Sequence, residues 1–420
     1  MADAKNSKTK VLVIYPTPLH NPAWGEAMVL RDISKLLTKR GYELSVLTMG
    51  DKPQQLNEGY NETVLKAPEI PKASDEKPKE YVAMLQGMMG TFFSQRSAYN
   101  YSDEMASEVR RRKPDVILTS NLYPPHAIDV LDIAMEYKEE RASHGAAPKL
   151  VVTTDDFREI PEFFHLARQS FFKGQNPGVE QTASYEKVEQ LYIARLEALH
   201  VWMLKAADAV VYYSDEDLEV GRSRLERSES GKLMRIQPLQ DMNMDVKVEP
   251  RETLDTTIFL GNSRHLPNAI AKEVIRERIA PKVPEVTFVM AGPGGPEYKQ
   301  GNVESLGFVD DADALIRASD LYIAPIQSGH GVKTKLLSPI AQGVPILSTP
   351  LGAEGFPVVN GRNMVVEGDV DQFPVWIRRL GDRETRKKLA ANAITDMGGY
   401  FSSETVGNRW DNTLSFLVRQ

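Results

Sequence analysis

A chain of 420 residues, 41% of them hydrophobic, has the length for roughly two to three domains of ~150 residues each and the composition of a globular protein. Its formal net charge of −7 lacks the basic footprint of a general nucleic-acid binder, and with no cysteine it has no disulfide, thiolate metal ligand or thiol nucleophile. No run reaches the roughly 18 uninterrupted apolar residues of a membrane-spanning helix, and no secretory leader is read before the first strand-like run. We therefore expect a chain of the reducing cytoplasm, with any membrane contact peripheral.

Short apolar runs alternate with longer amphipathic stretches almost throughout, which is the pattern of strand-helix-strand units on parallel sheets. The first run, VLVIYP at 11–16, leads into a long loop and then a helix in which Met28, Leu30, Ile33, Leu36 and Leu37 recur near helical spacing. Gly25 in this passage either brings backbone N–H groups close to an anion or is an ordinary turn residue. His20, in the same loop, is a candidate ligand contact. No G-x-G-x-x-G follows the strand, so a dinucleotide is not expected. After ELSVLT, residues 71–101 pair a polar lead-in with a Met and Phe cluster. This reads as an amphipathic helix whose apolar face meets either the core or a lipid or hydrophobic acceptor.

Arg110, Arg111, Arg112 and Lys113 precede Pro114 and so close a helix, where cations complement the dipole; the other reading is a phosphate or anionic-membrane site. DVILTS and KLVVTT are the next strands. Asp155 and Asp156 end the second of them in TTDDFRE. Adjacent strand residues point to opposite sides, so one of the two acids faces a ligand, as a contact or proton acceptor, unless the pair serves as a helix N-cap. AVVYYS follows. Residues 238–255, PLQDMNMDVKVEPRETLD, break the alternation with polar residues and two prolines.

The pattern then repeats with TIFLGN, VTFVMAG, LYIAPI and VPILST. The reading is α/β, with two Rossmann-like doubly wound parallel-sheet domains facing a cleft, residues 1–245 and 246–400, and 401–420 as a closing helix carrying Trp410, Leu414, Phe416 and Leu417. Gly292, Gly294 and Gly295 in MAGPGGPEYK form a loop bordering the ligand edge. After LYIAPI comes IQSGHGVKTKLLSP, where Gly329 and Gly331 permit tight backbone geometry and Lys333 and Lys335 add charge. This is a diphosphate cradle or a turn with solvated lysines. Ser338 either caps a helix with Pro339 at its first position or marks a kink. The histidines show no metal-binding spacing, so no metal is expected, and His165 and His200 are read as packing residues.

At these residues the chain resembles the GT-B nucleotide-sugar glycosyltransferases of the family-four-like branch, glycosyl transferases group 1. GHGVKTKLLSPIAQGVPILSTPLGAEGF is similar to the donor-site pattern G-x-G-x-[RK]-x-K-x-L-E-x-x-A-x-G-x-P with its later G-x-E-G turn. TIFLGNSRHLPNAIAKEV and LGFVDDADALIRASDLYIAP are similar to the segments that lead into it, and KAADAVVYYSDED to the run that closes the first domain. The likeness is strong over 256–382 and loose before 149.

The resemblance implies transfer of a sugar from a nucleotide-diphosphate sugar, a co-substrate rather than a cofactor, mostly with retention and without a metal. It places Gly25, Arg264, Gly329, Gly331, Lys333, Lys335, Ser338, Glu354 and Gly355 at the donor, with His330, Asp155 and Asp156 as candidate catalytic residues. It also implies that residues 1–245 hold the acceptor, that 246–400 bind the donor, and that the last helix crosses back to the first domain. The acceptor is a glycan, lipid, protein or small molecule. The family's paired glutamates fall here on His330 and Ser338, so either the nucleotide is held differently or the chain is a weak or inactive sugar-nucleotide binder acting through partners.

Overall fold

The computed structural model describes residues 8–15, 17–20, 25–66, 81, 85, 101–120, 126–142, 147–154, 161, 164, 165, 168, 171, 172 and 179–419. The chain divides into two compact units: Met1–Tyr213 with Asp217–Ile236 and Gly407–Gln420, and Gln237–Val406 with Ser214–Glu216.

The first unit is built on an eight-stranded sheet of order β3-β4-β2-β1-β5-β6-β7-β8. Its strands are β1 (Lys10–Ile14), β2 (Glu43–Gly50), β3 (Gln54–Asn57), β4 (Asn61–Lys66), β5 (Val116–Ser120), β6 (Lys149–Thr154), β7 (Ala209–Tyr212) and β8 (Leu233–Arg235). The central strands are near-continuous apolar runs because both faces of a parallel sheet are covered. All five residues of β5 are buried, and Val11 of β1 lies between Leu44 of β2 and Val116 of β5.

Helices α1 (Gly25–Lys39), α2 (Tyr101–Arg112), α3 (His126–Ala142), α4 (Val179–Ala206) and α5 (Asp215–Ser223) alternate with these strands. α1 buries Val29, Leu30, Ile33, Leu36 and Leu37, whereas Met28, expected on that face, is exposed. The amphipathic helix expected over 71–101 lies outside the described residues apart from Tyr81, Leu85 and Tyr101. Tyr81 is buried and donates to Glu189 Oε1 at 2.8 Å and to the Phe164 carbonyl at 3.1 Å.

The second unit carries a seven-stranded sheet of order β11-β12-β10-β9-β13-β14-β15. Its strands are β9 (Thr256–Leu260), β10 (Thr287–Ala291), β11 (Tyr298–Gln300), β12 (Val303–Ser305), β13 (Leu321–Ala324), β14 (Ile346–Ser348) and β15 (Val365–Val366). Its helices are α6 (Leu266–Val274), α7 (Ala312–Arg317), α8 (Leu337–Ala341), α9 (Phe373–Arg379), α10 (Arg383–Phe401) and the start of α11 (Ser403–Arg419). Each sheet departs from the all-parallel expectation at one edge: β3 runs antiparallel to β4, and β11 to β12. The strands QQLN, YKQ and VES are short and polar, so they carry no apolar signal; they form as hairpin edges, one turning at Gly59 (φ 81°) and the other at Gly301 (φ 58°).

α10 fixes the end of the connecting stretch 238–255. The buried guanidinium of Arg386 donates through Nη2 to the carbonyls of Arg251 (2.6 Å) and Thr253 (3.1 Å), and through Nη1 to Leu380 (2.6 Å) and Gly381 (2.8 Å). The residues of α11 from Gly407 onward belong to the first unit, where Asp411 accepts from Arg40 Nε at 2.8 Å. α11 buries Trp410, Leu414 and Leu417 but leaves Phe416 at 61% exposure, so that residue is not part of the packing face. Among the described residues no helix is long and apolar enough to cross a membrane.

Candidate anion site of the second unit

In the second sheet the strand order reverses beside β9: β10 lies on one side of it and β13 on the other, both parallel to it. In such sheets ligands bind outside the carboxyl ends of the strands at the reversal. The two loops that leave this point are 261–265, after β9, and 325–333, after β13.

In the second of these loops, Gly329 (φ 79°) and Gly331 (φ 76°) take the left-handed conformation that only glycine adopts without strain. The chain then tightens into a 3₁₀ turn, Thr334–Leu336, and α8. Lys333 folds back over the glycine turn, its Nζ donating to the carbonyls of His330 (2.7 Å) and Gly331 (2.8 Å). Lys335 turns inward. Its ammonium donates to Asn268 Oδ1 and stands 4.9 Å from the centroid of the Phe259 ring. Burial, then the charges of Lys333 and Lys272, push this amine down to about 7.

The other loop supplies the opposite wall. Asn262 Oδ1 accepts from the Arg264 N–H at 2.9 Å, an Asx turn that fixes the backbone of Arg264. On α6, Lys272 Nζ donates to Ser263 Oγ at 2.8 Å, and burial pushes this amine down to about 8. His265 is pushed down to about 4, by burial of its ring first and then by the charges of Lys335 and Lys333, although the residue as a whole is exposed. The glycine loop after β10 closes over this wall: a Cβ on Gly294 (φ 80°) would lie 2.7 Å from Arg264 Cγ, and one on Gly295 2.7 Å from Ser263 Oγ.

His330 Nδ1 lies 3.6 Å from Glu354 Oε2, an ion-pair separation too long for a hydrogen bond. Glu354 is buried, and the turn that delivers it depends on Gly355 (φ 80°), where a Cβ would lie 2.4 Å from Val332 Cγ2. Of the residues singled out in the sequence, Arg264, Gly329, His330, Gly331, Lys333, Lys335, Glu354 and Gly355 thus come from the loops at one edge of one sheet.

The others fall differently. Ser338 is not an N-cap: it is the second residue of α8, because the 3₁₀ turn has already begun the helical path, and its hydroxyl donates to Asp313 Oδ1 at 2.5 Å. Pro339 then sits in the first turn, where a missing N–H costs no helical bond. Gly25 is the exposed first residue of α1 in the first unit. Asp155 and Asp156 lie outside the described residues. His20 is held by a fully buried carboxylate: Glu62 accepts from the Leu19 and His20 N–H groups (2.8 and 3.1 Å) and from Thr48 Oγ1 (2.7 Å), with His20 Nδ1 3.1 Å away.

The arginine run does end α2, but it is not an open anion site. Arg110 forms a bidentate pair with Glu140, and Arg111 and Arg112 both reach Glu108. Lys113 follows in the left-handed conformation (φ 49°). His200 is buried as expected, and burial followed by the charge of Arg224 pushes it down to about 3. His165 is exposed, on a depression of about 820 Å³ that Arg168, Glu186 and Glu189 also line, so it is not a packing residue.

Lys272 and Asn268 escaped sequence reasoning, although a signal was present. A helix beginning at Leu266 places both residues, four apart, on the face that looks toward the loop after β9.

Comparison with known proteins agrees with this layout. Residues 256–382 match the family model described as glycosyl transferases group 1. Sucrose-phosphate synthase from Thermosynechococcus elongatus superimposes with a TM-score of 0.65 over 98% of this chain and 99% of that one, at 13% identity. The chain has the GT-B fold.

Anabaena HepE, solved with UDP and glucose, aligns with this GT-B chain at a TM-score of 0.61 and 15% identity, covering 97% and 99% of the two chains. A UDP-forming trehalose-phosphate synthase from Burkholderia xenovorans aligns at 0.58 and 12%, with the same coverage. Comparison with curated protein sequences returns no match. Both loops of the lysine site, and the glycine loop after β10, fall within the family-matched segment.

Proposed function

We propose that this protein is a GT-B glycosyltransferase that moves a sugar from a nucleotide-diphosphate sugar to an acceptor, with retention at the anomeric carbon. The observation that carries the reading is the set of cations at the strand-order reversal of the second sheet, inside the segment that matches the group 1 family. Breaking a glycosyl–phosphate bond leaves positive charge on the anomeric carbon and negative charge on the departing diphosphate. Fixed cations and oriented N–H groups lower that barrier more than a strong base does. Lys333, Lys335 and Arg264 supply the positive charge in this reading, and the backbone of the Gly329–Gly331 turn supplies N–H donors.

His330 and Glu354 are close enough to act on one ligand, and we assign them to the sugar hydroxyls, with His330 the candidate to meet the reacting centre. Asp155 and Asp156 remain the proposed acceptor-side acids, held by the first unit. The donors to test first are UDP-sugars, since HepE is described with UDP-glucose and an E. coli trehalose-6-phosphate protein with UDP-2-fluoroglucose.

The test is release of nucleoside diphosphate from UDP-, GDP-, ADP- and dTDP-sugars, run beside a Lys333→Ala, Lys335→Ala double variant. Release from one donor that disappears in the variant is the expected result. Tight binding with no release from any donor would instead identify a sugar-nucleotide binder without turnover.

A further inference from the structure

The reading above uses Lys333 and Lys335 but leaves Lys272 without a role. Its ammonium is placed with some care. Ser263 Oγ accepts from it at 2.8 Å, and the position of a Cβ on Gly295 is 3.9 Å away, so the amine lies between the loops that follow β9 and β10. Asn268, one helical turn earlier on the same face of α6, accepts from Lys335, which approaches from the loop after β13. The two amines therefore flank a single face of α6 at the carboxyl edge of the sheet.

Neither amine has a carboxylate partner among the described residues: Lys272 donates to a hydroxyl, and Lys335 to an amide beside the Phe259 ring. The charged and titratable groups that face Lys335 are Lys333 on its own turn, Lys272 on α6 and His265 before α6, all of them basic. Charged groups withdrawn from water are ordinarily paired, and both of these residues are half-buried. Partial burial acts on both amines and the neighbouring lysines act on Lys335, so the favoured state of the empty site is one with fewer protons.

We propose that Lys272 is a third lysine of the anion cradle, and that an anionic ligand enters this cradle together with a proton taken from solvent by the amine pair Lys272 and Lys335. The depressed amines agree with this, at about 7 for Lys335 and about 8 for Lys272. A doubly or triply charged phosphate group supplies the counter-charge that the fold withholds, and restores both amines to the ammonium form. The inference rests on the donor-site reading for the identity of the ligand, but not for the behaviour of the lysines.

The experiment is isothermal titration at pH 8 in Hepes and in Tris, whose different heats of ionisation give the number of protons exchanged. UDP, GDP, ADP and dTDP are the nucleotide probes, and sulfate, which carries no proton of its own at this pH, is the inorganic one. Uptake of about one to one and a half protons per ligand is expected, from one amine mostly uncharged and a second about half charged in the empty site. In the Lys272→Arg, Lys335→Arg double variant, whose guanidinium groups stay charged, binding should persist while uptake falls close to zero.

Lys272→Gln should weaken binding about tenfold, with a melting curve confirming that it folds. Binding without proton uptake, or a Lys272→Gln variant equal to the parent in both affinity and uptake, overturns the proposal. Sulfate binding with uptake while all four nucleotides fail supports the proposal and removes the nucleotide-sugar reading. Failure of every anion removes both.

Discussion

The loops that follow the first strand of each sheet occupy equivalent places and are held by opposite charges. After β1, the backbone at Leu19 and His20 converges on the buried carboxylate of Glu62, which is filled by four donors. After β9, the loop at Ser263 and Arg264 is approached by lysine ammonium groups that find only neutral acceptors. The first arrangement is closed: a carboxylate whose oxygens already accept from four groups holds a loop in place and has little left to offer a ligand. The second is open, and what an incoming anion meets there is a pair of amines, Lys272 and Lys335, that no acid among the described residues neutralises. Rossmann-like architecture is common to both, so the functional difference lies in which side chains the loops gather.

The sharpest test of that contrast is to remove charge from the open loop. Each hydrogen bond to a charged group contributes about 1.5–3 kcal/mol, so the Lys333→Ala, Lys335→Ala double variant should lose at least about 100-fold in affinity for a nucleoside diphosphate. Equilibrium titration measures this directly. An undiminished affinity would mean that the lysines only shape the turn.

The turns that present these groups should come next in size. Gly355→Ala places a methyl group 2.4 Å from Val332 Cγ2 in a left-handed backbone conformation. Strain of this kind costs about 1–3 kcal/mol, and the melting temperature should drop by several degrees, roughly 2–4 °C for each kcal/mol in a unit of this size. Glu62→Gln tests the closed loop by the same measurement: the amide keeps one acceptor oxygen but turns an NH₂ toward backbone donors, with an expected loss of about 1–3 kcal/mol. Because it leaves the lysines untouched, its effect on anion affinity in the folded protein should be small. A large effect would break the separation drawn here between the two loops.

How far the sequence discloses this layout depends on the distance over which each contact forms. The strands VLVIYP, DVILTS, TIFLGN and LYIAPI are legible because two-sided burial demands an unbroken apolar run. QQLN and YKQ are not, since an edge strand is specified by its neighbour and its turn rather than by its own side chains. In the site, Gly329, Gly331, Lys333 and Lys335 lie within seven consecutive residues, 329–335, and advertise an anion locally. The partner of Lys335 is 67 residues away, and Glu62 is 42 residues from His20. No periodicity links such pairs. The arginine run shows the converse case: adjacent cations leave an anion site open as a second reading, and the fold ends the helix there and supplies Glu108 and Glu140 instead.

The pH dependence of stability separates paired from unpaired cations more gently. The Lys335 amine falls from the ordinary lysine value of 10.5 in an unfolded chain to about 7 in the folded one. Between those values the unfolded chain binds more protons, so the stability of the ligand-free protein should rise with pH from 7 toward 10, opposite to the trend expected from a salt-bridged lysine. Thermal melts in the absence of phosphate and sulfate should show that rise, and Lys335→Met should flatten it. A parent whose stability is level or falling over the same range would place the amine in an ordinary, solvated state.

The smallest effect belongs to the arginines. The Arg110–Glu140 pair is bidentate but exposed, and exposed pairs contribute little because solvent and salt screen them. Arg110→Ala should leave the melting temperature within about 1 °C and the affinity for a nucleoside diphosphate unchanged. If that affinity fell with the arginine as it does with the lysines, the pairing with Glu140 would not be what silences the run, and the distinction between cations with and without an acid partner would lose its explanatory use.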